Sequence, residues 1–173
     1  GTSAKPAVIH LGAASGQQVT FERPQGVLSP GGAHRRHNQD IVQPEPTGSG
    51  QFSAMVKAMR NAGLEPADVK HVNAHGTSTL LNDERETMAI KSVFQDHAYK
   101  LAISSTKSMV GHLLGGAGAI GAAATALSLH HQKLHPTINL NNPDPKCDLD
   151  FIPNVCREAK VNYALTEALG FGG

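Results

Sequence analysis

Three side chains able to hold or move protons follow one another along this chain, His75, Lys107 and His112. Each lies among small residues, in the runs HGTST, SSTKS and GHLLGGAG. A neutral imidazole donates one N–H. Two imidazoles directed at one carbonyl oxygen would stabilise the oxyanion of an enolate as it forms, and losing one such donor costs about 3 to 4 kcal/mol of barrier. The two cysteines offer a different chemistry less well. Cys147 lies in the Pro-rich run PDPKCDLD and Cys156 follows PNV, so neither is placed at a helix start or beside a base by sequence. Their number and spacing fit neither a disulfide framework nor a zinc or redox motif, which points to a reducing compartment. His131 with His135, or His34 with His37, would give a zinc ion two ligands and no third, so no metal site is expected.

These groups need elements to position them. Val69 to Ala74 has the length and valine content of a strand and runs directly into His75, placing polar groups at a strand's C-terminal end, where α/β proteins commonly carry out chemistry. Asn82 or Asp83 then caps a helix, with Asp83 and Glu86 spaced as a capping box and Ile90, Val93 and Phe94 on its apolar face, ending near Gln95. Leu101 to Ser104 reads as a second strand leading to Lys107. Upstream, Phe52, Met55, Val56 and Met59 fall on one helical stripe that Gly63 and Pro66 terminate. Ala7 to Leu11 reads as a short buried strand. Residues 17 to 50 are a Pro- and Gly-rich loop that carries a local basic cluster, His34-Arg35-Arg36-His37.

Leu113 to Leu129 is 17 residues long without a charge, close to the lower limit of about 17 for a membrane span. It is rich in Ala and Gly, whose transfer into lipid gains little, and two histidines follow it, so a helix buried against protein is expected instead of a span. With 15 Lys and Arg against 14 Asp and Glu the net charge is +1, which leaves no overall basic field for nucleic acid. The 173 residues, 39% of them hydrophobic, suffice for one domain or a piece of one.

The runs VNAHGTSTLLND, AYKLAISSTKSMVGHLLGGAGAIGA, PTINLNNPDPKCDLDFIPN and VNYALTEALGFGG resemble the C-terminal half of a β-ketoacyl-acyl-carrier-protein synthase, the elongating condensing enzyme of type II fatty-acid synthesis. The match runs from about Gln43 to the end, giving residues 1–42 as a strand plus a loop unlike the family and 43–173 as the synthase C-terminal domain. The resemblance implies an α/β thiolase-like fold, of which this chain supplies mainly the C-terminal half of a five-layer architecture. It implies a decarboxylative Claisen condensation between malonyl-acyl-carrier protein and an acyl-enzyme, without a cofactor, in the cytoplasm or a plastid stroma. His75 and His112 match the histidines that polarise the malonyl thioester. Lys107 matches a family lysine whose charged partners here would be Asp83 and Glu86. Thr77 and Thr79 match threonines near the malonyl and pantetheine end of the substrate, and Phe171 with Gly172 matches a gating loop over the acyl pocket.

The family's nucleophilic cysteine belongs to the other half of the fold. The implied partners are therefore an acyl carrier protein bearing phosphopantetheine-linked substrate, and either the N-terminal half or a second copy of this chain. Gly121 stands where the family carries a glutamate, which would strip the lysine's network of a carboxylate. Glu167-Ala168-Leu169 replaces a run close to Asn-Ser-Phe before the gate. The alternative reading is an inactive synthase-like fragment that binds a carrier or a partner half.

Overall fold

The computed structural model describes residues 7–12 and 48–170. Phe171, Gly172, the His34 to His37 cluster and most of the 1–42 segment lie outside the described residues. Four strands form one sheet: β1 (Ala7–Gly12), β6 (Tyr163–Ala168), β2 (Val69–Asn73) and β3 (Ala102–Ser104), neighbours in that order and all parallel. Parallel neighbours require crossovers, and helices supply them. Between β2 and β3 runs α2 (Leu80–Phe94), and α1 (Ser49–Asn61) precedes β2. After β3 come α3 (Lys107–Val110) and α4 (Ala117–His131), then a small antiparallel ribbon, β4 (Lys133–Leu134) with β5 (Arg157–Glu158).

Two apolar clusters hold the layers together. On one side Met55, Val69, Val72, Ile90, Phe94, Ile103 and Leu165 pack with α1 and α2; on the other Ala102, Leu129, Leu134, Ile152, Val161 and Ala164 pack with α4 and the ribbon. Strand β2 is buried at Val69, His71, Val72 and Asn73, as expected of a central strand covered on both faces. Helix α1 departs from the expected stripe: Gln51, Met55, Ala58 and Met59 are buried, whereas Phe52 and Val56 are exposed, so the inward face lies one residue off the line read from the large side chains.

Helix α2 also departs. It starts at Leu80, with Thr79 as N-cap and no side-chain cap, so Asn82 and Asp83 lie inside its first turn and do not cap it. Glu86 bonds backbone in the loop before the helix, leaving the expected capping box unformed. The Ala- and Gly-rich run forms a 3-10 turn (Leu114–Gly116) followed by α4, with Gly121, Thr125, Ser128 and Leu129 buried. No described helix is long and apolar enough to cross a membrane.

Candidate active site

The register of the sheet aligns three strand ends. Asn73 of β2 pairs with Ser104 of β3 on one side and Thr166 of β6 on the other, so the residues after all three strands emerge at one C-terminal edge. His75 follows β2, Lys107 follows β3, and Leu169 follows β6. Asn73 ties the edge to the helices beyond it. Its Nδ2 donates to the Gly121 carbonyl at 3.0 Å and to Thr125 Oγ1 at 3.0 Å, both on α4. Its Oδ1 accepts from the N–H and hydroxyl of Thr106, at 3.3 and 3.1 Å.

The turn after β2 is tight. Gly76 adopts φ +44°, and a Cβ there would lie 2.6 Å from the Ser105 side chain, whose hydroxyl donates to the Gly76 carbonyl at 2.9 Å. From α2, buried Glu86 accepts the N–H of His75 at 2.6 Å, the N–H of Gly76 at 2.8 Å and the Asn82 amide at 3.2 Å.

Both histidines have their tautomer set by donors. His75 Nδ1 accepts the Leu169 N–H at 3.2 Å and faces the Lys107 ammonium at 3.2 Å, and that ammonium also donates to the His75 carbonyl at 2.6 Å. A lysine ammonium and a backbone amide only donate, so Nδ1 is the acceptor and the ring proton resides on Nε2. His112 Nδ1 accepts the Leu114 N–H at 3.0 Å, which leaves its Nε2 protonated as well. The rings meet edge to face, 5.6 Å between centroids. Among the described residues neither Nε2–H has a protein acceptor. Burial, then the charge of Lys107, holds the His75 pKa down from 6.5 to about 4. Burial followed by the same lysine lowers that of His112, although this ring is largely exposed. The arrangement is thus a pair of neutral N–H donors beside a fixed cation.

The other candidates are distributed unevenly. Thr77 and Thr79 share a hydrogen bond of 2.8 Å beside His75 at the mouth of the site. Asp83 bonds Asn82 and lies near Glu86 on α2, whereas the carboxylates whose charge reaches Lys107 are Glu86 and Glu167. One of them comes from a third element: Glu167, at the end of β6, is buried and lines the same cleft as Lys107, Asn73, Thr106 and Gly121. In the sequence Glu167 shows only as a departure from the family's run before the gate and Asn73 does not stand out, since each acts on residues far away along the chain. Cys147 is half-buried, its thiol pKa raised chiefly by burial, the opposite of an activated thiolate, and Cys156 is exposed. Among the described residues no three His, Cys, Asp or Glu side chains cluster as metal ligands.

The parallel sheet with its helices, together with the ketosynthase family and structures it matches, places the chain in the class of thiolase-like folds, as a C-terminal half. The family Beta-ketoacyl synthase, C-terminal domain, matches residues 29–141, and the chain belongs to that family. It is 52% identical over 133 residues to 3-oxoacyl-[acyl-carrier-protein] synthase 2 of Synechocystis sp., covering 77% of this chain and 32% of the relative. To the protein of the same name from Coxiella burnetii it is 49% identical, with 77% and 32% covered. Among solved structures, a type II polyketide ketosynthase in complex with its acyl-carrier protein superposes with TM-score 0.76 at 38% identity, covering 79% of this chain and 33% of that one. A β-ketoacyl synthase from Burkholderia phymatum gives TM-score 0.72 at 37% identity, covering 78% and 32%. The chain spans about a third of the length of the curated relatives it matches.

Proposed function

We propose that this chain supplies the two-histidine half of a 3-oxoacyl-acyl-carrier-protein synthase site, and that the acyl-accepting cysteine comes from an N-terminal half. The observation that carries this reading is the pair of Nε2–H groups, each left free because a backbone N–H occupies Nδ1 of its ring. Malonyl thioester, delivered on the phosphopantetheine arm of an acyl carrier protein, places its thioester carbonyl between them. As the C–C bond to the carboxylate breaks and carbon dioxide leaves, the electron pair passes to the carbonyl oxygen, and the two N–H dipoles stabilise that enolate. The enolate carbon then attacks the acyl-cysteine thioester, forming the new C–C bond and expelling the cysteine thiolate. The depressed pKa of both rings keeps them neutral, and a neutral imidazole donates its Nε2–H throughout without surrendering that proton. Thr77 and Thr79 lie where the pantetheine end would enter, and Phe171 with Gly172 forms the acyl gate in this reading. Domain limits of 1–42 and 43–173 accompany it, and the setting is the cytoplasm or plastid stroma, where type II fatty-acid synthesis runs.

The surface supports a partner half. Met109, Val110, Leu113 and Leu114, between β3 and α4, are 41%, 51%, 42% and 67% exposed, an apolar group beside the site that an N-terminal half would cover. The test combines this chain with a cysteine-bearing N-terminal half and follows decarboxylation of malonyl-acyl-carrier protein. Activity should require both halves and fall about 10²- to 10³-fold in His75→Ala and in His112→Ala. Full activity in either variant would refute the assignment. An inert carrier-binding fragment is the weaker alternative, since binding alone has no need of two uncommitted neutral donors.

A further inference from the structure

Glu167 is buried, 5% exposed, and neither of its carboxylate oxygens receives a hydrogen bond from a donor group. An ionised carboxylate in that state is costly. Its neighbours narrow the ways out. Lys107 lines the same cleft but directs its ammonium at the carbonyl and Nδ1 of His75 and makes no direct ion pair. The Glu86 carboxyl is within side-chain hydrogen-bonding reach of Glu167, and it is itself fastened by three N–H donors. Two carboxyl groups in contact repel unless one carries a proton, in which case that proton makes a hydrogen bond between them. Glu86 already has three N–H donors and Glu167 has none, so Glu167 is the one to hold it.

On the reading of His75 and His112 as enolate donors, we propose that Glu167 is a positioning residue of this site: it shares one proton with Glu86, so that the buried carboxyl pair presents a single negative charge to the Lys107 ammonium. Burial first, and the charge of Glu86 second, raise the affinity of Glu167 for that proton well above the carboxylic norm, while Lys107 opposes them. Charge balance gives the device its purpose. One carboxylate against one ammonium leaves the ground beneath His75 neutral, so the ring stays neutral and its Nε2–H stays a donor. Two carboxylates would draw a proton onto His75, because Glu86 already pulls its pKa upward against Lys107 and His112. Asp83, the remaining acid near the pair, is also raised chiefly by burial and adds to the repulsion that a second charge would meet. Gly121 completes the arrangement. A Cβ there would lie 3.2 Å from Thr166 Oγ1, a tight contact, so the bare Gly121 lets α4 approach the end of β6 closely.

The proton itself can be read by infrared difference spectroscopy on the whole chain, in light and heavy water. The expected result is a protonated-carboxyl stretching band at neutral pH that shifts on deuteration, disappears at alkaline pH with release of one proton, and is missing in Glu167→Gln. A wild-type spectrum without that band at neutral pH overturns the proposal, and needs no variant to fold. A band unchanged in Glu167→Gln also overturns it. In the assembled enzyme, the alkaline fall in malonyl decarboxylation should flatten in Glu167→Gln; a profile with the same alkaline limb as wild type would count against Glu167 acting on the site. Failure of the two-histidine reading would look different: His75→Ala and His112→Ala would keep their rates while the infrared band remained.

Discussion

Acid should unfold this protein through its buried histidines, and His71 isolates the effect. It is fully buried on β2, its Nδ1–H donates to the Ala102 carbonyl at 2.9 Å, and its Nε2 has no partner. Burial, the dominant cause, holds its pKa at about 4 against 6.5 in the unfolded chain. A base with a depressed folded pKa contributes stability above the unfolded value and loses it as pH falls toward the folded one. A shift of that size corresponds to about 3 kcal/mol at full development, a large part of the roughly 5 to 15 kcal/mol that holds a domain together. His75, shifted to about 4 as well, adds a second proton of the same sign. Glu167, with its raised pKa, acts in the opposite direction but equally in wild type and variant, so it cancels in the comparison. The perturbation is His71→Asn, whose amide nitrogen takes the place of Nδ1 toward Ala102 without a titrating ring. Urea denaturation followed by circular dichroism from pH 7 to 4.5 should show wild-type stability falling more steeply than the variant by about one proton, ~1.4 kcal/mol per pH unit in the middle of the range. The variant starts lower because a smaller side chain leaves a void, so the slope is the readout. Equal slopes would refute the claim that His71 is held neutral.

Lys107→Met removes the positive charge beside His75 together with its two hydrogen bonds, so the His75 midpoint should rise above about 4, visible in imidazole nitrogen NMR shifts; an unmoved midpoint would mean that burial alone holds the ring neutral. Gly76→Ala combines a φ of +44° with a Cβ 2.6 Å from Ser105 and should cost about 2 kcal/mol or more of thermal stability; a melting temperature equal to wild type would show that the turn after β2 can relax.

The sequence made the scaffold of the site legible because it is local. Val69 to Ala74 and Leu101 to Ser104 announce strands by composition, and His75 and Lys107 follow them within a few residues, so their place at a strand edge needed no tertiary knowledge. What stayed hidden was set by distant contacts. Glu86 is spaced to complete a helix cap, yet the N–H groups of His75 and Gly76 capture it, and α2 begins earlier as a result. The loss of a carboxylate at Gly121 read as a gap in the lysine's surroundings, and only the pairing of β6 with β2 brings Glu167 to fill it. The inward stripe of α1 includes Gln51 and Ala58, which a search for large apolar side chains passes over.

The order of strands has a consequence for how such a site comes into being. Strand β6 lies between β1 and β2, and Ala7 pairs with Tyr163 although the other described elements separate them along the sequence. Contacts so remote in sequence form slowly, because the entropy of closing the loop must be overcome before the pairing rewards it. Until β6 inserts, β1 has no neighbour among the described strands, Leu169 has not reached His75, and Glu86 has no second carboxyl. The helices and the neighbouring strands β2 and β3 can form before that insertion, so His75 and Lys107 take their places at the sheet edge ahead of the strand that brings Leu169 and Glu167 to them.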